Sequence, residues 1–289
     1  MKKLALIGAS SSIGRRLAPY LATHLTTWDV IKTCYANTLE DAESLDIRDS
    51  DGLSRFIQKN NPDVLIWLAG TKDVQKCQNN YNFAYELNTQ PIIDLCSILK
   101  SVKPAPHLIF ISTDYVFDGS IGHYTDSSTP MPTTNYGETN YLAERALRSS
   151  FLPWTVIRTA AIMGKGFNYF DWLTHSLLSG ERVESYADST FTPTPILLFN
   201  KAMVTLVNHP AANDIFHVVG NVAMSRYEFS LKIAQILGRA NQIVPVRRPK
   251  DNVFFQKNLS LAPSKMMESL QRTPLEFLIK EELLAYVKS

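Results

Sequence analysis

Over the first 160 residues, short unbroken apolar runs alternate with stretches of helical spacing. "KLALIG" (3–8) reads as a strand that ends in small residues and then a helix. "WDVIKTCY" (28–35) reads as a second strand, "DGLSRFIQKNN" (51–61) as a helix with Leu53, Phe56 and Ile57 on one face, and "PDVLIWLAG" (62–70) as a third strand. The pattern continues with a long helix over 82–102, interrupted or kinked near Pro91, because proline removes a helical hydrogen bond. A fourth strand follows over 107–113, a helix over 135–150 and a fifth strand over 154–160. Strands that are apolar throughout are buried on both faces, and their alternation with helices predicts a parallel sheet covered on both sides. Right-handed crossovers then give an open, doubly wound α/β sheet whose ligand crevice lies at the carboxyl ends of the strands.

The rhythm changes near residue 163. Helical spacing covers 167–181, an extended piece and a helix share 190–210, and "DIFHVVG" (214–220) reads as a strand. "SRYEFSLKIAQILG" (225–238) reads as a helix opened by a capping box, Ser225 with Glu228 three residues later. No regular βαβ series returns. The expected division is therefore a cofactor domain over 1–162 and a smaller C-terminal lobe over 163–289, with an approximate boundary and interleaved segments.

Composition narrows the function classes. A 289-residue chain with 45% hydrophobic and 10% aromatic residues is that of an ordinary globular protein. Its 29 basic residues nearly balance 27 acidic ones, and no basic stripe occurs, which argues against nucleic acid or an anionic membrane as partner. The densest basic cluster is "RRPK" (247–250). Cys34, Cys77 and Cys96 lack metal-ligand spacing, and the six histidines stand singly, so no metal is expected. The apolar run of "MKKLALIG" stops at Gly8, too short for a signal core, and a cytoplasmic location is expected.

The first candidate site is "GASSSIG", Gly8 to Gly14. A glycine-rich turn between a first strand and a helix can hold a pyrophosphate on backbone amides at the positive helix end. The middle glycine position is Ser11, whose Cβ narrows the space while its hydroxyl offers a phosphate contact; a plain βα turn is the alternative. An acid near the end of the second strand would hold the ribose of NAD, but "KTCYANTLE" has none before Glu40. Arg15 and Arg16 follow the turn and suit a 2′-phosphate, although both also fit a solvated helix face. NADP(H) is favoured slightly, with NAD(H) the alternative.

With those residues in view, the chain resembles the extended short-chain dehydrogenase/reductase superfamily, and within it the dTDP-4-dehydrorhamnose reductase family. That family also includes the regulatory β subunit of methionine adenosyltransferase. The resemblance runs along essentially the whole chain. Its most specific part is "STDYVFDG" (112–119) followed by "YTDSSTPMPTTNYGETNYLAE" (124–144). "DI" at 46–47, "LAG" at 68–70, Asn88, "IRT" at 157–159, "TPT" at 192–194, "SRYEF" at 225–229 and "RRP" at 247–249 belong to the same pattern.

The resemblance implies a Rossmann-type doubly wound sheet and a reductase of a keto group on a nucleotide-activated deoxysugar. Thr113 would hydrogen-bond the keto oxygen and Tyr136 would protonate it. Gly8, Ser10, Ser11, Ser12, Ile13 and Gly14 would line the pyrophosphate turn. Asp46 and Ile47 would line the adenine pocket, and Ala69 and Gly70 would lie beside the cofactor ribose. Asp114, Val116, Phe117 and Arg248 would meet the substrate; a guanidinium at 248 suits the diphosphate, which it can grip through two donors. The partners implied are a nucleotide-sugar substrate and either a second copy of the chain or a partner protein.

One position departs from the family. The lysine four residues beyond the tyrosine is Asn140 here. At an effective dielectric of about 20, a charge ~4 Å away is worth roughly 4 kcal/mol, equivalent to up to about 3 pKa units. Without it, the phenol is expected near its free value of about 10. It would then be a weaker proton donor for reduction, and worse still as the base that oxidation requires. Asn140 retains the ability to hydrogen-bond a ribose hydroxyl. The alternatives are a dinucleotide-binding regulatory or scaffold subunit, an epimerase or dehydratase, and a structural role for Tyr136 and Tyr141 as core aromatics.

Overall fold

A computed structural model of the chain describes residues 1–211, 213–249, 256–267, 269–270 and 273–287. It divides into two compact units of interleaved segments. The first comprises Met1–Val116, Pro130–Arg158 and Ala202–Phe216, and the second Phe117–Thr129, Thr159–Lys201 and His217–Ser289.

The first unit begins with β1 (Lys2–Ile7), α1 (Ser12–His24), β2 (Trp28–Cys34), β3 (Ala42–Ser44), α2 (Ser50–Asn60) and β4 (Val64–Trp67). It continues with α3 (Val74–Asn79), α4 (Tyr81–Asn88), α5 (Gln90–Leu99), β5 (His107–Thr113), α6 (Asn135–Arg148) and β6 (Trp154–Thr159). A seven-stranded sheet runs in the order Asp214–His217, β6, β5, β4, β1, β2, β3. The pairs β1–β2, β1–β4, β2–β3 and β4–β5 are parallel. Chain direction across the sheet reverses between β1 and β4, which is the topological switch point of a Rossmann-type doubly wound fold.

The apolar runs explain this sheet. On one face Ala5, Ile7, Leu65, Trp67, Leu108, Phe110 and Val156 join a core cluster with Leu53, Phe56 and Ile57 of α2, Leu95 and Leu99 of α5, and Ala143 and Leu147 of α6. Leu4, Leu6, Ile66, Ile109 and Ile157 occupy the alternate positions and are 0% exposed, so the second face is covered as well. Burying both faces removes the period-two signal, which is why these strands read as continuous apolar runs.

Three local features differ from the sequence expectation. The 62–70 strand is shorter, because the chain leaves the sheet after Trp67 and turns through Leu68–Gly70. The helix expected over 82–102 is two helices divided at Thr89, with Pro91 in the first turn of α5, where its missing N–H costs nothing. The strand expected over 214–220 spans Asp214–His217 and extends the central sheet. The short β3 and α3 were not anticipated; each is too brief to establish a period.

In the second unit, three small pairings replace a large sheet: Thr194–Pro195 with Ile162–Met163, Met224–Ser225 with Thr190–Phe191, and Ile243–Val246 with Val183–Tyr186. The capping box opens helix Arg226–Ile236: Ser225 Oγ accepts from Glu228 N–H at 3.1 Å, and Glu228 Oε2 accepts from Ser225 N–H at 2.7 Å. Among the described residues no helix is long and apolar enough to cross a membrane.

Candidate active site

The glycine turn sits at the β1/β4 switch point, and its glycines are sterically required. Gly8 has φ +85°, and a Cβ there would lie 2.9 Å from Ala69 N; one on Gly14 would lie 2.5 Å from Ala9 O. Gly8 N–H donates to Thr33 Oγ1 (3.0 Å) and Ala9 N–H to Thr33 O (2.8 Å), fastening the turn to β2. Ser11 is the N-cap of α1, its Oγ accepting from Gly14 N–H at 3.1 Å. The serine in place of the middle glycine therefore completes the helix end, and its hydroxyl hydrogen remains to be donated. The N–H groups of Ser12 and Ile13 fall in the first turn of α1, where no intrahelical acceptor exists. A backbone cradle closed to side chains at the positive end of a 13-residue helix fits a pyrophosphate.

Ser10 also belongs to this turn, and its carbonyl accepts from Arg15 Nε at 3.1 Å. The other end of that guanidinium donates to Thr38 O at 3.2 Å, so Arg15 bridges the turn and the loop after β2. Asp46 is gripped by Arg48: Nε to Oδ1 at 2.9 Å and Nη2 to Oδ2 at 2.7 Å. This pairing with Arg48 holds the Asp46 carboxyl down at about 2. Ile47 beside it is buried.

Beyond β4, Ala69 and Gly70 form the other wall of the turn. Gly70 has φ +141°, and a Cβ on it would lie 2.7 Å from Asn88 Oδ1. That oxygen accepts from Thr71 N–H at 2.8 Å, while Asn88 Nδ2 donates to Thr139 Oγ1 at 3.3 Å. Thr89 Oγ1 donates to Thr139 O at 2.7 Å. These bonds tie the loop after β4 to the helix that carries Tyr136.

Helix α6 starts at a Thr134 cap, whose Oγ1 accepts from Gly137 N–H at 3.0 Å. A Cβ on Gly137 would lie 2.0 Å from Tyr115 O, so only glycine lets α6 approach the end of β5 this closely. Asn135 Nδ2 donates to Cys77 O and Gln78 O, each at 3.2 Å, which fixes the helix start against α3. About two turns further along α6, buried Glu144 accepts from Arg158 Nε (3.0 Å), Arg158 Nη2 (2.7 Å) and Ser112 Oγ (2.5 Å). The helix is thereby pinned to β5 and β6 on both sides of Thr113.

The result brings the Tyr136 phenol beside the Thr113 side chain. The rings of Tyr115 and Tyr136 meet edge to face at 5.5 Å. Thr113 Oγ1 also donates to Asp114 Oδ1 at 3.0 Å, and both residues are buried. Burial pushes the Tyr136 phenol well above its ordinary value; Thr113 opposes the shift, while Asp114, Tyr115 and Cys77 add to it. The sequence expectation of a phenol near 10 is thus corrected upward: beyond the missing cation, the phenol is desolvated and has an acid for a neighbour. Asn140 Nδ2 donates to Tyr136 O at 2.8 Å, so its amide is engaged with its own helix rather than directed solely toward a ribose.

Val116 is 0% and Phe117 1% exposed, so their side chains offer a ligand no surface. Phe117 and Arg248 belong to the second unit. There Phe117 stacks on Tyr124 at 4.2 Å, and Arg248 N–H donates to Asp188 Oδ1 at 2.7 Å. Lys250 of the basic segment lies outside the described residues. No group of three or more His, Cys, Asp or Glu placed to hold a metal occurs among the described residues.

The profile of the RmlD substrate binding domain matches residues 1–260. The chain belongs to the RmlD substrate-binding domain family. It is 28% identical over 202 residues, 67% of this chain and 66% of the relative, to a probable low-salt glycan biosynthesis reductase, Agl14, of Haloferax volcanii. It is 25% identical to the methionine adenosyltransferase 2 subunit beta of Rattus norvegicus, covering 98% of this chain and 87% of that one. Its fold matches a crystal structure of dTDP-4-dehydrorhamnose reductase from Bacillus anthracis in complex with NADP, with a TM-score of 0.86, 22% identity and 99% of each chain covered. Tyr136, Thr113 and the glycine turn fall in one unit. Lys72 belongs to that unit too, and the sequence reading did not single it out; its only signal was a cation two residues beyond the glycine that ends "LAG".

Proposed function

We propose that this protein uses NAD(P)H to reduce a 4-keto group on a nucleotide-activated deoxysugar, acting in the cytoplasm in surface polysaccharide synthesis. The observation that carries the reading is the Tyr136 phenol set against the Thr113 hydroxyl, in the same unit as the glycine turn, in a chain of the RmlD family. Gly8, Ser10, Ser11, Ser12, Ile13 and Gly14 would hold the cofactor's pyrophosphate, with Ala69 and Gly70 as the facing wall. When bound, the nicotinamide supplies a hydride.

The remaining chemistry falls to side chains. The Thr113 hydroxyl turns from Asp114 to donate to the keto oxygen beside Tyr136, polarising it, and the phenol proton passes to that oxygen as negative charge develops there. A phenol raised above its ordinary value starts protonated, the form reduction requires, but is a reluctant donor. The opposite direction needs phenolate, which desolvation and Asp114 disfavour. That asymmetry supports a reductase over an epimerase or dehydratase, whose chemistry passes through an oxidation. NADP(H) is the preferred cofactor: Arg15 is braced between Ser10 and Thr38 beside a β2 end that lacks an acid. Arg248 is the proposed contact for the substrate diphosphate.

A second reading, a dinucleotide-binding regulatory or scaffold subunit, draws on Asn140. Its amide is bonded to Tyr136 O, and no cation replaces the family's lysine at that position. Incubation of the wild-type chain and Tyr136→Phe with NADPH and dTDP-4-keto-6-deoxysugars separates the two readings. Turnover by wild type alone supports the reductase, and turnover by neither supports the subunit.

A further inference from the structure

Beyond Gly70 the chain places a lysine at the mouth of the turn. Thr71 N–H is held by Asn88 Oδ1 at 2.8 Å, which fixes the backbone from which Lys72 departs. From there Lys72 Nζ reaches Ser12 Oγ at 3.4 Å, spanning 60 residues of sequence and the β1/β4 switch point. Ser12 is the first residue of α1. A helix start carries about half a positive charge, so an ammonium held there has the wrong sign for its surroundings.

Lys72 makes no ion pair among the described residues. The adjacent carboxylate, Asp73, is spent on capping α3, with Oδ1 accepting from Lys76 N–H at 2.9 Å. Lys72 stays exposed, and the partial loss of water around its ammonium lowers its pKa. Two positive groups, the α1 terminus and the Lys72 ammonium, thus converge on one point with only a neutral hydroxyl between them. Such an arrangement is completed by an anion.

We propose that Lys72 is the cationic clasp of the cofactor pyrophosphate, closing on it from the β4 side while the amides of α1 hold it from the other. The inference rests on the dinucleotide-binding part of the proposed function and adds a residue to it. The crevice keeps a positive charge at its phosphate end, whereas position 140, beside the reacting tyrosine, carries none. Charge is invested in holding the dinucleotide rather than in acidifying Tyr136.

The test is calorimetric titration of wild type, Lys72→Gln and Lys72→Arg with NADPH, NADH and ADP-ribose. ADP-ribose retains the pyrophosphate but lacks nicotinamide, so it assigns an effect to the phosphates. Lys72→Gln should weaken all three by about tenfold, or about 1.4 kcal/mol, and leave the NADPH-to-NADH ratio unaltered. Lys72→Arg should recover most of the loss, which a general disturbance of the loop would not permit. Equal binding by wild type and Lys72→Gln overturns the clasp while leaving the reductase reading intact. A loss confined to NADPH overturns it too, by moving the contact to the 2′-phosphate. A wild type that binds none of the three removes this inference and the proposed function together.

Discussion

Asn140 Nδ2 donates to the main-chain oxygen of Tyr136 at 2.8 Å, one helical turn back. The position where the resemblance to the reductase family leads one to expect a lysine here closes a hydrogen bond within its own helix. Tyr136 is left with Thr113 and Asp114 as the neighbours of its hydroxyl. The site is built to keep the phenol protonated.

Tyr136→Phe removes the donated proton and little else. Turnover should fall by at least about 10²-fold, the usual worth of a positioned proton donor. NADPH affinity should change by less than about threefold, since the ring and its edge-on contact with Tyr115 remain. Parallel steady-state and binding measurements check both halves.

The bridge made by Arg15 predicts its own signature. Arg15→Ala should weaken NADPH by roughly tenfold, about 1.4 kcal/mol, with a much smaller effect on NADH. Wild type should bind NADPH at least as tightly as NADH. Competitive titration reads both, and NADH clearly tighter in wild type would contradict the assignment.

The Arg158–Glu144 pair is 1% and 0% exposed, so it is a stability element as well as a support for the site. Arg158→Met leaves a carboxylate buried without its counter-ion and should cost about 3–5 kcal/mol in urea denaturation. Replacing both residues by apolar side chains of similar volume should recover much of that loss.

His107 sets a pH dependence. It is buried against Thr155, with Nε2 2.8 Å from Oγ1, and desolvation lowers its pKa to about 4. Because the folded pKa lies below the unfolded value, the unfolded chain binds the extra proton between roughly pH 6.5 and 4, and stability declines as pH falls through that window. The group alone should cost about 2 kcal/mol between about pH 7 and pH 5. His107→Gln should flatten the profile over that range, as read by chemical denaturation at several pH values.

Much of this architecture was legible in the sequence because the sheet is buried on both faces. Runs such as "VLIW" and "WTVIRT" admit few other readings, and the capping box at Ser225 marks a helix start by chemistry alone. The glycine turn was legible for the same kind of reason, since Gly8 and Gly14 are positions where a Cβ has no room. What stayed hidden depends on three-dimensional proximity. Nothing in the sequence brings Lys72 to Ser12, 60 residues away, or sets Asp114 and Cys77 beside the phenol so that its pKa rises instead of staying near 10. Short elements such as β3 and α3 exist only because neighbouring strands and helices stabilise them. The interleaving of the two units is likewise a property of contacts, not of composition.

The central claim is that Tyr136 protonates a keto sugar without help from a cation, and Asn140→Lys tests it most directly. Reduction and oxidation rates would be measured for wild type and variant at saturating cofactor, across pH. The account predicts slow reduction by wild type and a gain of tenfold or more in the variant, consistent with a restored charge worth up to roughly 4 kcal/mol on the phenol. The gain should be larger for oxidation than for reduction, because the lysine stabilises phenolate. Absence of turnover in both proteins, or an equal gain in the two directions, would contradict it.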